Sequence, residues 1–226
     1  MLKPICGLLL AAAVWAAAPT PLEMARDRQD RAALQKAIDE ASAAAAKAPN
    51  DPNAQYRLAL ASSYLAEVAQ EMHDKKQAQQ AAETGIKAAE KAVALHPDAE
   101  NYRMLGMLCG QAVTDLFSGL SYGPRAKTAI EKAVSLAPKS SSVYLARGVG
   151  NYYVPAQLGG GAKVAIEDFR KAIEFDANSA EAYLWLGIAL RKDGQDAEAR
   201  KALTKSLALD PNRVWARQEL AKIPGK

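Results

Sequence analysis

A chain of 226 residues is long enough for one well-filled core or for a row of small stacked units, and too short for several large domains. Half of it is hydrophobic, but aromatics make up only 6%, so a core must come mainly from small residues in close contact. Basic and acidic residues number 29 and 25, a net charge of +4, and the two signs are interleaved. That pattern lacks the basic patch threaded with aromatics that nucleic-acid binding needs. No run of alternating β-branched residues points to a sheet. The alanine-rich, leucine-containing segments favour helix, because alanine loses no side-chain entropy on ordering.

The chain starts with the three-part layout of a secretory leader. Lys3 supplies a positive charge, Ile5 to Val14 form an apolar run, and Ala16, Ala17 and Ala18 are residues a signal peptidase accepts. The run is short for a membrane span, which needs about 20 residues. Cys6 precedes the run, which argues against lipid attachment. Residues 1–18 are therefore read as a signal peptide, with cleavage after Ala16 as the alternative. The mature chain is expected in the periplasm or outside the cell, with no integral membrane span. Removal of Cys6 leaves Cys109 alone, so no intramolecular disulfide can form and stability rests on packing. Residues 19–53 read as an N-terminal helix and linker, with Leu34, Ile38, Ala41 and Ala45 forming an apolar stripe ahead of Pro49.

From Ala54 onward a helix–turn–helix unit recurs. A first unit at 54–98 pairs a helix over about Ala54 to Gln70, with Tyr56, Leu60 and Tyr64 setting its register, with one from Thr84 to Leu95; Gly85 takes an alanine's place and Pro97 closes the unit. The second, 99–140, carries Tyr102, Leu105, Gly106 and Cys109, then Ala126, Ile130, Ala133 and Pro138. The third, 141–179, carries Tyr144 and Gly148, then Ala165, Phe169 and Ala172, with Ala177 in the proline's place. The fourth, 180–213, is the clearest: Tyr183, Leu186, Gly187 and Leu190 share one helix face, and Ala199, Leu203 and Ser206 recur on the next. Gly194 suits the left-handed turn between them, Pro211 stops the second helix, and Asn178 with Glu181 forms a candidate capping pair. Residues 214–223 read as a closing helix.

These positions resemble the tetratricopeptide repeat, whose 34-residue unit has large residues at positions 4 and 11, leucine at 7, a small residue at 8, alanine at 20 and 27, and proline at 32. The resemblance covers residues 54–223. It implies an all-α fold, a right-handed superhelical stack of antiparallel helix pairs, in which the first helices line a concave groove. It also implies a binding protein without catalysis or cofactor, acting on a protein or peptide partner. In the family's groove positions stand Arg103, Met107, Leu145, Val149, Tyr152, Leu184, Ile188 and Arg191, an aliphatic floor with polar flanks suited to an apolar helix or extended peptide. The lysine and asparagine of a carboxylate clamp are replaced there by Leu145, Val149, Leu184 and Ile188. The leading reading is an exported scaffold for protein–protein interaction in the cell envelope. The alternative is an accessory or ligand-binding component of a periplasmic solute transporter.

Two units depart from the family spacing. From Gly106 to Ala126, and from Gly148 to Ala165, the chain is longer than the repeat requires. The expected consequence is a longer first helix or a larger turn in each, projecting from one edge of the stack. The inserted segments are apolar: Phe117 to Pro124 in one, Val154 to Gly161 in the other. Gly159 to Gly161 precede a helix but lack the strand and the lysine spacing of a phosphate loop. His73 and His96 have no partner at metal-ligand spacing, and no metal site is expected. His96 is expected to meet the end of its helix. Cys109 falls where a buried small hydrophobe belongs. Trp215 either closes the core or stands as an exposed anchor.

Overall fold

A computed structural model describes residues 18–224; the apolar run and Cys6 lie outside the described residues. Among those described there are eleven α-helices and no strand. A short helix α1 (Pro21–Asp27) and a longer α2 (Arg31–Lys47) precede four helix pairs. The pairs are α3 (Pro52–Glu71) with α4 (Lys75–Leu95), α5 (Ala99–Gln111) with α6 (Leu116–Leu136), α7 (Ser141–Tyr153) with α8 (Ala162–Phe175), and α9 (Ala180–Lys192) with α10 (Asp196–Leu209). Helix α11 (Val214–Ala221) packs on α10 and closes the row. Each second helix packs between its own partner and the next first helix, and the first helices α3, α5, α7 and α9 touch one another in succession. The first helices therefore form the inner layer and the second helices the outer one, a tetratricopeptide solenoid.

The repeat contact is the same in three pairs. A Cβ added at Gly106 would lie 2.6 Å from Ile130, one at Gly148 2.5 Å from Phe169, and one at Gly187 2.5 Å from Leu203. Absence of a side chain at this position lets the two helices of a pair approach, and the large residue opposite fills the remaining space. In the first pair the geometry is reversed. Gly85 of α4 sits against Ser62 Cβ, where an added Cβ would be 2.8 Å away. The core register of α3 is thus Leu58, Ser62 and Leu65, displaced by one or two residues from the expected Tyr56, Leu60 and Tyr64. Leu58, Ser62 and Leu65 are buried, while Tyr56, Leu60 and Tyr64 are only partly so.

Helix ends follow local chemistry. Asp30, Asp51, Asp74, Asp98, Asp115, Ser140 and Ser179 each accept a hydrogen bond from a backbone N–H in the first turn of the helix they start. Ser179, not Asn178, caps α9, and Glu181 is free to point elsewhere. Asp74 explains why α4 begins well before Thr84: beyond it, Lys75 to Ala82 are good helix formers throughout.

The first insertion changes neither the first helix nor the turn. Helices α5, α7 and α9 all have 13 residues. Instead α6 has 21 residues against 14 in α8 and α10, two extra turns at its N-terminus. The segment Phe117 to Pro124, expected as a turn, is helical because Asp115 and Ser118 form a capping box ahead of it. Gly123 precedes Pro124 and carries no Cβ to meet the proline ring, and Leu120, whose carbonyl loses its i+4 N–H donor to Pro124, is an exposed residue. The second insertion is an enlarged turn as expected. Pro155 starts a single 3-10 turn over Ala156–Leu158, and Gly159 and Gly161 take φ of 85° and 101°. The Gly161 N–H donates to the Asn151 carbonyl at 2.8 Å, which pins the turn against α7.

Candidate partner-binding surfaces

The expected groove residues fall into two groups on the inner layer. Arg103 and Met107 lie together on α5. The Arg103 guanidinium donates to Glu100, with Nε 2.8 Å from Oε2, and Nη1 lies 2.7 Å from Met107 Sδ. Tyr56 OH of α3 donates to Glu100 Oε1 at 2.5 Å. Burial alone would raise the Glu100 carboxyl, but the bonds and charge of Arg103, with the Tyr56 bond, hold it below the usual carboxylate range. This stretch is polar and satisfied from within.

The second group is apolar and covered. Leu184 and Ile188 are buried in a cluster with Phe169, Trp185, Leu203, Ala216 and Ile223, and Leu145, Val149 and Tyr152 pack against it half-buried. Tyr152 meets Trp185 edge-on at 5.7 Å, and Trp185 meets Trp215 at 5.1 Å. Trp215 therefore closes the end of the core. Arg191 donates from Nη2 to Glu219 Oε2 of α11 at 2.9 Å. These aliphatic positions are thus part of a packed cluster to which α11 contributes Ala216.

The chain's own N-terminus covers more of the inner layer. The Arg26 guanidinium of α1 lies 4.9 Å over the Tyr64 ring of α3 and donates to Asp27 Oδ1 from Nε and Nη2. Gln29 donates to Glu71 Oε2 at 2.8 Å and exchanges 3.2 Å bonds with Gln218 of α11. Arg213, 1% exposed, donates from Nη2 to Glu67 Oε1 at 2.6 Å and Glu71 Oε1 at 2.5 Å, with Nε 3.4 Å from Glu181 Oε2 and 3.9 Å from Asp27 Oδ1. The two ends of the solenoid thus meet across its inner face through two arginines and four carboxylates. Charge is under-compensated there. Burial, reinforced by Glu181, pushes the Glu67 carboxyl up to about 8, and burial also raises Glu71 and Asp27. Glu181, drawn down by Arg213 and Arg26 against its own burial, stays ionised. Sequence reasoning missed this cluster. Glu67 and Arg213 are 146 residues apart, and isolated charges on helices read as solvated faces.

The junction edge, where first helices turn into second ones, is different. Leu116, Phe117 and Leu120 on the extra turns of α6 are 74%, 82% and 70% exposed, beside Val113 in the preceding turn. At the same junction of the next pair, Val154 and Leu158 are exposed too, with Val164 just behind them, while the partly exposed Tyr153 turns its ring toward Tyr152 and Trp185. Side-chain bonds tie α6 and the turn before it to α4. Tyr122 OH donates to Glu83 Oε1 at 3.3 Å, Thr114 Oγ1 to Gln79 Oε1 at 3.3 Å, and Arg125 bonds Glu90. Behind the second loop, buried Asp168 accepts from Arg147 Nε at 2.9 Å and Asn151 Nδ2 at 2.7 Å. Both apolar projections stand on braced supports.

The remaining candidates are structural. Cys109 is buried and burial pushes its thiol up to about 11, the state of an inert core residue. His73 takes φ 62° in the turn before α4. His96 Nε2 lies 3.3 Å from Asp98 Oδ2, the cap of the following helix, rather than on its own helix end. Among the described residues no group of three His, Cys, Asp or Glu could hold a metal ion, and no helix is long and apolar enough to cross a membrane.

Comparison with known proteins places this geometry. None of the curated proteins matches the chain significantly. Among solved structures, a thermophilic tetratricopeptide protein, TTC0263 of Thermus thermophilus, superposes with a TM-score of 0.60 at 20% identity, covering 85% of this chain and 91% of that one. The HusA haemophore of Porphyromonas gingivalis gives 0.50 at 20% identity, covering 85% and 94%. At these identities the likeness is one of fold. Two tetratricopeptide-repeat family models match residues 180–213 and 163–194, the regular C-terminal pairs. A third model, described as regulator of microtubule dynamics protein 1-3, spans residues 22–158, from α1 to the enlarged turn that follows α7. That match takes in more than half of the sequence, and the chain belongs to the regulator of microtubule dynamics protein 1-3 family, with tetratricopeptide repeats completing its C-terminal part.

Proposed function

We propose that this protein is a non-catalytic scaffold, exported to the cell envelope, that binds a protein partner along its junction edge. The observation that carries the reading is the contrast between two surfaces. The inner face is occupied by α1, the clasp around Arg213, and α11. The edge presents Leu116, Phe117, Leu120 and Leu158 to solvent on braced supports. Large apolar side chains exposed together on a rigid frame mark a contact surface, because leaving them in water forgoes their burial. The tetratricopeptide repeats support the coarse part of this reading, interaction with a protein partner. The groove residues Leu145, Val149, Tyr152, Leu184 and Ile188 then serve as the packed support of this edge.

Export rests on the leader-like start, and the family match begins at residue 22, just past it. Full-length protein produced in a Gram-negative host is expected in the periplasmic fraction with a mass set by cleavage after Ala16 or Ala18. Recovery from the cytoplasm with Met1 intact would sink this part. For binding, tagged mature protein is incubated with envelope extract beside Phe117→Ser/Leu120→Ser. A partner enriched by the wild type and lost by the variant supports the edge. Equal recovery by both would move the site elsewhere.

A further inference from the structure

The inner face carries a device that the scaffold reading does not use. Helix α1 lies across it as an ordered segment, held by a cap and a clasp. Thr20 caps it reciprocally with Glu23, Leu22 packs on the N-terminal core, and Arg26 covers Tyr64. Immediately after it, Gln29, with φ 57°, binds Glu71 of α3 and Gln218 of α11. Seven residues cannot hold a helix in water by themselves, so α1 exists only while it is docked.

We propose that α1 is a strap that closes the inner face of the solenoid and opens with rising pH, through the buried clasp in which Arg213 ties α3, α9 and α11 to the end of the strap. Every charged or titratable group facing Glu67 enters the balance. These are Arg26 and Asp27 at the strap, Tyr64 and Glu71 on its own helix, Tyr153 at the end of α7, Glu181 on α9, and Arg213 ahead of α11; Asp210 faces Asp27 from the end of α10. Two guanidinium groups meet four carboxylates, so full ionisation leaves the closed clasp with uncompensated negative charge in a buried place. Closure therefore retains a proton. Glu67 holds it up to about 8, whereas an opened, solvated glutamate loses it near 4.5. A carboxyl raised in the closed state adds stability that is complete at low pH and lost as pH climbs through 8. The raised Glu71 and Asp27 act in the same direction. Glu181 is lowered and works the other way, weakening closure only at pH below the ordinary glutamate range. Opening uncovers the Tyr64 ring, over which Arg26 lies in the closed state.

Amide hydrogen exchange of the full chain, corrected for intrinsic rates, reads the strap directly. Protection of residues 21–29 is expected to fall on the order of tenfold between about pH 6.5 and pH 9, while α9 and α10 keep theirs. Glu67→Gln mimics the protonated carboxyl and should hold the strap protected at the higher pH. Arg213→Met should release it even at the lower one. If Arg213→Met does not fold, Arg26→Glu strikes the strap and spares Arg213, and it should give the same release. Strap protection that follows α9 at both pH values, or a fall that Glu67→Gln leaves unchanged, overturns the proposal. Loss of the whole fold in both arginine variants does so too, since the strap would then be an inseparable part of the core.

Discussion

The N-terminal and C-terminal pairs solve the same packing problem with different materials. Around α3 and α4 the buried surface is largely alanine: Ala59, Ala61, Ala66, Ala69, Ala78, Ala82, Ala88, Ala89 and Ala92. Around α8 and α9 it is Phe169, Trp185, Leu184, Leu186, Leu190 and Leu203, with Tyr152 and Trp215 at the margin. An aromatic side chain buries roughly 150–250 Å², several times what an alanine offers. Helices α8, α9 and α10 reach a stable interface in 13 or 14 residues, whereas α3 and α4 extend to 20 and 21. Length replaces bulk. The extra turns then do more than pack. The end of α3 places Glu67 and Glu71 in the clasp, and the start of α6 carries the exposed apolar projection, tied to α4 through Tyr122 and Glu83. The repeat contact fixes how the helices of a pair meet, and the chain beyond it is where this member acquires its own surfaces.

The largest effect should come from cutting the tie between the two regions. Arg213→Met leaves Glu67, Glu71 and Glu181 facing one another in a buried place, a loss of about 3–5 kcal/mol. Denaturant unfolding should show it at neutral pH and less of it in acid, where the carboxyls protonate. An equal loss at both would mean that the arginine acts by packing over Trp215 alone. Next come the close contacts. Gly106→Leu in the N-terminal region and Gly148→Leu in the C-terminal region should each cost about 1–3 kcal/mol by overpacking. The second should cost more, because the rigid Phe169 ring and the Asp168 Cβ oppose it, while Ile130 can turn away. Equal melting temperatures for the two would break the distinction between an adaptable alanine core and a stiff aromatic one. Smaller again, Asp74→Ala removes the cap of the extended α4 and its bond to Arg31, about 1 kcal/mol, seen as faster amide exchange in residues 75–82.

The same contrast explains what could be read in advance. The C-terminal pairs follow the repeat without insertions inside their helices, so Tyr183, Leu186, Gly187 and Leu203 announced both fold and register. In α3 two apolar faces share one helix. Tyr56, Leu60 and Tyr64 recur as regularly as Leu58, Ser62 and Leu65, and the aromatic face suggests the register although Tyr64 meets the strap and Tyr56 bonds Glu100 of α5. In α6, Gly119, Gly123 and Pro124 spoke for a turn, and the capping box at Asp115 outweighed them. The clasp was not legible, because Arg26, Glu67, Glu181 and Arg213 come together only when the solenoid curves its ends into contact. The closing helix was legible as a helix at 214–223, but not its contacts across the chain, such as the bond of Glu219 to Arg191.

The smallest expected change in stability tests the surface rather than the frame. Phe117 and Leu120 project from the added turns of α6 and pack on little, so Phe117→Ser and Leu120→Ser should shift the unfolding free energy by no more than about 0.5 kcal/mol each. A core residue of the same kind behaves otherwise: Phe169→Ala should cost about 3–5 kcal/mol. If the serine variants fold and melt like the wild type while partner recovery disappears, the apolar edge is a recognition surface that the long-helix region carries at little cost to itself. If they destabilise the chain as a core substitution does, then the extra turns belong to the packing of the N-terminal pairs. Length would then be a structural remedy for an alanine core and nothing more.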